Sequence, residues 1–325
     1  MQMPSINKKK LYKYLLHPES GSIFAYITVF IIFSIGSSKF LTFDTFAANF
    51  TLASELGIVA IGQTFALTAA QIDLSVGSIF GIAAYTLTSL ANMGLYPVAA
   101  FIIALLLALL IGFINGLLVI KTDIHSFIIT LGMMMFLRGA LLAFTGGEVA
   151  NYRSDPTLIY YLGGEIIRRF HYCSIWFIIA AIIFGIILTR TKYGNWVFAT
   201  GGNEMIARAV GVQINKIKLS VFMISGLLAG LAGCLCMSRL KLAVPTFGEG
   251  IELESIAAAV IGGTLLTGGY GTIIGTFLGA MVMGTVRNGL IMMGVPAYWY
   301  RAFVGIIIVI ATLVQVLTRK AYLRL

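Results

Sequence analysis

The residue types that carry covalent chemistry in enzymes are scarce in this chain and lie far apart. No HExxH or GxSxG motif occurs, so we predict neither catalytic residues nor a metal site. No lysine directly follows a glycine, which excludes a GxxxxGK[ST] loop for ATP phosphates, and we predict no cofactor. The cysteines fall in or beside apolar runs, where they act as small apolar fillers. The isolated residues are His17, His125, His171, Cys173, Cys234 and Cys236.

A polar and acidic segment at residues 71–77, Gln-Ile-Asp-Leu-Ser-Val-Gly, separates two apolar runs. If those runs span a membrane, an ionised carboxylate between them is costly, so Asp73 must face water, cap a helix or meet a cation. Asp73 and Ser75 are also residue types that cap the start of a helix. Two interpretations stay open, namely a structural cap and direct participation in a pathway for a polar solute.

Other polar side chains stand singly within apolar runs. Their amide and hydroxyl groups either hydrogen-bond a neighbouring helix or replace the hydration shell of a solute in transit. Neither interpretation is excluded for any of them. Together with Asp73 and Ser75, the candidates for a translocation pathway are Gln63, Thr64, Asn115, Ser126, Ser225 and Asn288.

The longest polar and basic stretch is residues 189–218. Within it, residues 200–203 (Thr-Gly-Gly-Asn) predict a turn that ends in the helix cap Asn203, residues 204–210 predict a short helix, and Gly211 ends it. A plain loop between two helices needs only a few residues, so this length favours a docking element. A solvated loop without a partner is the alternative.

The composition indicates which kind of fold positions these polar residues. Of 325 residues, 59% are hydrophobic and only 10% are charged, which is too little polar surface for a water-soluble body of this size. In lipid the backbone must pair internally, and long apolar runs without alternation favour helices over a barrel. We predict an all-α, polytopic membrane helix bundle. The net charge of +10 is scattered between apolar runs, so we predict no nucleic-acid partner.

The apolar runs predict about ten transmembrane helices. The eighth is short and interrupted by glycine, which is typical of a broken helix. Residues 61–64 resemble 261–264, and residues 77–81 resemble 271–275, which suggests an internal repeat. The predicted segments are approximately 22–38, 50–70, 75–93, 97–120, 126–145, 173–189, 217–238, 254–267, 271–293 and 299–318.

Basic residues are in excess on the side of the bundle that holds both termini, which favours termini in the cytoplasm. The predicted domains are a cytoplasmic basic segment 1–20 that lies against membrane lipid, a transmembrane domain 21–318 with a cytoplasmic loop 190–217, and a cytoplasmic tail 319–325. Arg138 and Arg287 lie within spans, so each pairs with an internal acid or reaches an interface.

Several segments, from residue 53 to residue 317, resemble the permease subunits of ribose-type ABC sugar importers, in the branched-chain amino acid and ribose permease superfamily. The chain departs from that family at Ala70-Gln71, where the family has a glycine pair, and at Ile206-Ala207, where it has paired alanines. The segments that carry the resemblance are 72–77, 127–132, 138–139, 193–194, 201–203, 207–211, 256–258, 261–264 and 268–272.

The resemblance implies a multi-pass permease of the bacterial inner (plasma) membrane that performs no catalysis. A separate cytoplasmic ATP-binding cassette subunit hydrolyses ATP, and a periplasmic sugar-binding protein delivers a monosaccharide or similar small polar solute. A second permease copy, identical or related, completes the channel. By the same resemblance, the residues that couple to the ATPase are Gly201, Gly202, Asn203, Glu204, Ala207, Arg208 and Gly211.

Three other classes of protein deserve comparison. An ion-coupled secondary transporter of a small polar solute is the main alternative, and it needs acids near the membrane midplane, where Glu55, Asp73 and Glu254 come closest. Residues 267–271 differ from the potassium-filter sequence TVGYG at one position, but a filter needs four copies around an axis. A membrane enzyme lacks support because no catalytic motif occurs.

Overall fold

The computed structural model describes residues 18–37, 39–296 and 298–322, with side chains described for 21–37, 39–296 and 298–313. Within these residues the chain forms thirteen helices and four very short strands, so the all-α prediction is confirmed. Most of the predicted N-terminal segment 1–20 and part of the predicted tail 319–325 fall outside the described residues.

The helices overlap every predicted apolar segment, and the structure adds α6 and α8, which the sequence did not predict. The helices are α1 Pro18–Gly36, α2 Phe43–Thr68, α3 Val76–Asn92, α4 Pro97–Thr122, α5 Ser126–Thr145, α6 Pro156–Gly163, α7 Tyr172–Arg190, α8 Lys192–Gly202, α9 Glu204–Ala209, α10 Ile214–Leu240, α11 Ile251–Ile261, α12 Ile273–Met292 and α13 Trp299–Tyr322.

Six of the described helices are long and apolar enough to cross a membrane, namely α2, α4, α5, α7, α10 and α12. Three more, α1, α3 and α13, contain shorter apolar stretches. Helix α11 has eleven residues and ends immediately before Gly262, as expected for the interrupted eighth segment. The chain is therefore a multi-pass membrane protein, while the internal repeat stays a prediction.

Helices α2 and α10 form the centre of the bundle. Helix α10 packs against α2, α3 and α4, and α12 packs against the other side of α2. Close approach depends on small residues, since a methyl group at Gly226 would lie 2.6 Å from the carbonyl oxygen of Ala108 on α4. The apolar segment of α2 is 89% buried and that of α5 only 11%, so α5 is peripheral.

Two small antiparallel ribbons lie between the helices. Strand β1 (Ala150–Asn151), which follows α5, pairs with β4 (Leu242–Ala243), which follows α10. Strands β2 (Glu165–Ile167) and β3 (Phe170–His171) form a hairpin before α7. The first ribbon pairs Ala150 with Ala243, so it connects parts of the chain that are about ninety residues apart.

Candidate functional site

A buried polar cluster surrounds Asp73 in the segment between α2 and α3. The Asp73 Oδ1 atom accepts hydrogen bonds from the backbone N–H of Ser75 at 3.0 Å and from its hydroxyl at 2.6 Å. Asn115 on α4 donates its side-chain amide to Ser75 Oγ at 2.7 Å, and Gln63 on α2 donates to the backbone carbonyl of Asp73. All four side chains are buried. The cluster joins α2, α4 and the start of α3.

Helix α5 supports the same segment from the opposite side. Ser126 Oγ accepts the backbone N–H of Ile72 at 3.0 Å, and Thr130 Oγ1 accepts that of Leu74 at 3.1 Å. The segment is extended, so its N–H groups lack helical partners, and buried N–H groups require some acceptor. Side chains of α5 therefore take the place of backbone pairing.

Several oxygen atoms of the cluster have no hydrogen-bond partner in the described part of the chain. Ser225 on α10 belongs to this group, and its hydroxyl lies near the Asp73 carboxyl. Unpaired buried polar atoms are costly, so the cluster is able to accept hydrogen bonds from a water or a hydroxylated solute. The atoms are Gln63 Oε1, Asp73 Oδ2, Asn115 Oδ1 and Ser225 Oγ.

Two predicted pathway residues lie apart from this cluster. The hydroxyl of Thr64 is 2.6 Å from that of Thr276 on α12, and Asn288 donates to Asn49 Oδ1 at 2.6 Å. Both contacts are hydrogen bonds between neighbouring helices. The structure thus brings together Gln63, Asp73, Ser75 and Asn115, with Thr64 and Asn288 elsewhere in the bundle.

Replacing Asp73 with alanine should destabilise the protein by about 1–3 kcal/mol, because the buried N–H of Ser75 would lose its acceptor. Asparagine at this position keeps an oxygen for that bond and should cost less. Thermal unfolding of the detergent-solubilised protein measures both effects.

Asp155 provides a matched control for Asp73. Its Oδ1 accepts from the backbone N–H and hydroxyl of Thr157 at 2.8 and 2.7 Å, the same pattern on an exposed turn. These bonds lower the pKa of the Asp155 carboxyl. Water can replace them there, so Asp155→Ala should cost less than Asp73→Ala. Equal losses of stability would contradict a buried capping role for Asp73.

Ala70 adopts a left-handed backbone conformation with φ of 57°, immediately before the Asp73 segment. This conformation costs an L-residue roughly 1 kcal/mol and is the one that glycine adopts most easily. The structure therefore gives a physical reason for the glycine pair that the sequence resemblance places at Ala70-Gln71.

The predicted docking element forms helix α9. Asn203 caps it by accepting the N–H of Ile206 at 3.0 Å, and Glu204 pairs with Lys218 at 3.0 Å and with Arg208 at 3.8 Å. Gly211 ends the segment with φ of 87°. Residues 200–202, predicted as a turn, are instead the last residues of α8, because the helix continues until Asn203 becomes extended.

The two sides of α9 differ in exposure. Ala207 is buried against the bundle, so it fixes which side of α9 faces outward. The outward side carries three large apolar residues, an unusual patch for a solvent-facing loop. They are Met205, Ile206 and Val210.

A contact built from backbone atoms joins this docking element to the Asp73 segment. Gly201 at the end of α8 lies directly against the carbonyl oxygen of Thr68, the last residue of α2. The N–H of Gly269 donates to the same oxygen at 2.9 Å, and Gly268 packs against Ala70. We call these residues the glycine contact. Any side chain at Gly201 would separate the segments, so direct backbone contact joins the predicted loop 190–217 to the end of α2.

The sequence did not identify the partners of the intramembrane arginines. Arg138 lies 3.9 Å from Glu249, which also pairs with Arg301 at 3.6 Å. Arg287 sits over the ring of Tyr300, 5.5 Å from its centre. The available signal was the run Glu-Gly-Ile-Glu-Leu-Glu at residues 249–254, which leads into the first turn of α11. Local sequence does not reveal which arginine meets which acid.

Comparisons with known proteins agree with this architecture. Residues 45–312 match the family model described as branched-chain amino acid transport system, permease component. The chain is 36% identical over 303 residues to the ribose import permease protein of Escherichia coli (strain K12), covering 91% of this chain and 93% of the relative. It is 35% identical over 259 residues to the ribose import permease protein of Bacillus subtilis (strain 168), covering 80% of each.

A relative with a different cargo is also similar. The autoinducer 2 import system permease protein of Yersinia pseudotuberculosis serotype O:3 (strain YPIII) is 33% identical over 295 residues, covering 89% of this chain and 82% of the relative. No solved structure matches the chain. The similarity therefore extends over nearly the whole bundle and includes both the Asp73 segment and α9.

Proposed function

The chain belongs to the branched-chain amino acid transport system permease family, and from this premise we propose that it imports a monosaccharide or a similar small polar solute. It is a transmembrane permease subunit and not an enzyme. The curated relatives named above carry ribose or autoinducer 2 in their names, which supports a hydroxylated cargo. Buried amide and hydroxyl groups around Asp73 suit such a solute, because they offer hydrogen bonds without a strong charge.

The proposed topology has ten membrane-spanning helices, α1–α5, α7 and α10–α13, with both termini in the cytoplasm of a bacterial cell and the bundle in the inner membrane. Six of these helices have the length and composition of full spans. The other four have shorter apolar stretches or, in α11, only eleven residues, and broken helices are common where a bundle surrounds a polar path. This arrangement places α8 and α9 on the cytoplasmic side, where the excess of basic residues lies.

In this proposal a separate ATP-binding subunit hydrolyses ATP and docks on α9. The exposed apolar patch of Met205, Ile206 and Val210 carries the argument, since a capped helix that presents large apolar side chains outside the bundle needs a partner surface. The glycine contact then transmits movement of α9 to the end of α2. Coupling residues are Gly201, Gly202, Asn203, Glu204, Ala207, Arg208 and Gly211.

The remaining partners follow from the same assignment. A periplasmic binding protein selects the solute, and a second permease copy, identical or related, completes the channel beside peripheral helices such as α5. Gln63, Asp73, Ser75 and Asn115 form the polar lining, while Thr64 and Asn288 hold neighbouring helices at its edge.

The docking assignment is tested by Met205→Asp, with Met93→Asp as its matched control. The two methionines have the same exposure, 82% and 81%, but Met93 lies at the far end of α3, on the proposed outer side. A carboxylate at Met205 would be buried in an apolar interface without a partner, so ATPase co-purification should fall at least about tenfold.

Met93→Asp should leave co-purification unchanged, and both variants should insert normally into the membrane. Retention of the ATPase by Met205→Asp at the wild-type level would show that α9 is not the docking helix. Loss in both variants would indicate a general folding defect, which thermal unfolding of each purified variant would reveal.

A further inference from the structure

A charged cavity of about 280 Å³ lies between α11 and α13, separate from the Asp73 cluster. Its walls combine apolar side chains, including Leu253 and Ile308, with acids and a base. Such a mixture is uncommon on the side of a membrane helix, where apolar residues face lipid. The charged residues that line it are Glu249, Glu252, Glu254 and Arg301.

One residue of the cavity wall, Glu252, reaches into the bundle. The Glu252 carboxylate lies against Gly77, which is in the first turn of α3, and Arg138 Nη2 approaches the same glycine. From Gly77, helix α3 continues for fifteen residues, or about 23 Å at 1.5 Å per residue, to Asn92 at its proposed outer end. Glu252 and Arg138 are therefore at membrane depth.

The mouth of the cavity contains exposed charges. The side chains of Glu249 and Arg301 are 51% and 73% exposed in the single chain. Hydrocarbon does not accommodate an exposed carboxylate, whereas water or a polar solute does. This face of the chain therefore borders an aqueous space, and lipid does not cover it.

Behind the cavity wall, near Gly77, a hydrogen-bond donor and an acceptor have no partners among the described residues. They are Arg138 Nη2 and Glu252 Oε2, both buried. The second terminal atom of each side chain has a partner. Arg138 Nη1 lies 3.9 Å from Glu249, and Glu252 Oε1 accepts from the N–H of Gly250 at 3.2 Å. A hydroxyl group donates and accepts at once, so it matches this arrangement.

The charges around the cavity balance. Glu249, Glu252 and Glu254 are opposed by Arg138, Arg287 and Arg301, each of which lies close to at least one of the acids. A balanced set of fixed charges favours an uncharged polar solute over an anion or a cation. We infer that this cavity is where the transported solute meets the permease, with Glu252 in its wall as the residue that contacts the solute and Arg138 behind it.

This assignment rests on the proposed import of a hydroxylated solute, but it names residues that neither the polar cluster nor the docking helix contains. Gly77 permits it, because a side chain at Gly77 would occupy the position of the Glu252 carboxylate. The cavity thus forms one part of the pathway, and the Asp73 cluster lies behind the same turn of α3.

Cysteine accessibility tests whether the cavity is aqueous. Leu253→Cys lines the cavity and is matched by Ile182→Cys in the middle of α7, since the native side chains are 52% and 57% exposed. In the assembled transporter in nanodiscs, a charged, membrane-impermeant thiol reagent should label Leu253→Cys at least about tenfold faster. The native cysteines are buried and give little background. Equal, slow labelling at both positions would overturn the inference.

Transport tests the contact with solute. Glu252→Gln should lower uptake of D-ribose by the reconstituted transporter by about tenfold, because a hydrogen bond to a charged carboxylate becomes a weaker one to a neutral amide. Glu252→Asp should recover part of it, and Glu165→Gln, on the exposed strand β2, should transport normally. All variants should retain the ATPase.

The outcomes separate the two proposals. Wild-type uptake of ribose with no effect of Glu252→Gln would overturn the cavity assignment and leave the import function standing. An intact wild-type complex that transports no ribose would remove ribose as the cargo, and the labelling of Leu253→Cys would still decide whether the cavity is an aqueous passage.

Discussion

Gly201→Ala will disable the permease, whereas Gly202→Ala will be tolerated. A methyl group at Gly201 overlaps the carbonyl oxygen of Thr68 and lies 2.8 Å from the backbone nitrogen of Gly269, so backbone must move to admit it. At Gly202 the nearest atom to such a methyl group is 3.9 Å away, which is ordinary contact. The two positions are neighbours in the same helix and receive the same chemical change, and they differ mainly in available space.

Two measurements give the expected result. Overpacking of this kind costs about 1–3 kcal/mol or more, since rigid backbone and not a flexible side chain must give way, so the thermal midpoint of Gly201→Ala should fall clearly. ATP-driven uptake should fall further than stability alone explains, because the glycine contact is the link between α9 and α2. A Gly201→Ala variant with wild-type stability and uptake would mean that this contact is not required.

Loss of one partner of the buried ion pair between α2 and α10 should be the most damaging change to stability. Arg239 donates to both carboxylate oxygens of Glu55, at 2.7 and 3.2 Å, inside the bundle. Arg239→Met leaves a buried, unpaired carboxylate, and breaking such a pair costs about 3–5 kcal/mol. We expect poor recovery of folded protein and a large drop in its thermal midpoint.

A double variant and an exposed pair serve as controls. Glu55→Leu combined with Arg239→Met removes both charges and should regain most of the lost stability, because apolar pairs replace buried ion pairs with little cost. Arg208→Met breaks the exposed contact with Glu204 at 3.8 Å and should cost no more than about 1 kcal/mol. If Arg239→Met were no worse than Arg208→Met, the pair would contribute little to the fold.

Local patterns in the sequence were sufficient for the apolar helices and for the two segments of interest. Apolar runs predicted ten of the thirteen described helices, because burial in lipid leaves the backbone few alternatives. Asn203 and Gly211 correctly marked the ends of the short polar helix, since capping depends on residues next to each other in the chain. The polar segment around Asp73 was also recognisable, because a carboxylate between apolar runs is rare.

Contacts between distant segments were not predictable in the same way. Nothing near Arg138 in the sequence indicates Glu249, which lies more than a hundred residues away, and the assignment depends on how α5 meets the turn before α11. Likewise, the local sequence predicts a turn at Gly201. In the structure Gly201 instead lies in the last turn of α8, where it contacts Thr68. Thr64 and Asn115 are both single polar residues within apolar runs, so the sequence does not distinguish them. The packing does, because Thr64 contacts Thr276 on α12 and Asn115 contacts Ser75.

The ribbon of β1 and β4 has a mechanical consequence for the charged cavity. It ties the end of α5, the helix that carries Arg138, to the strand that leads toward Glu249. The side of the cavity that holds Glu249 is thereby fastened to α5. Helix α13, which carries Arg301, packs mainly against α11, and it follows a turn that contains Gly294 at φ of 75°. The ribbon therefore restrains one side of the cavity, whereas packing on α11 is the main restraint on the other.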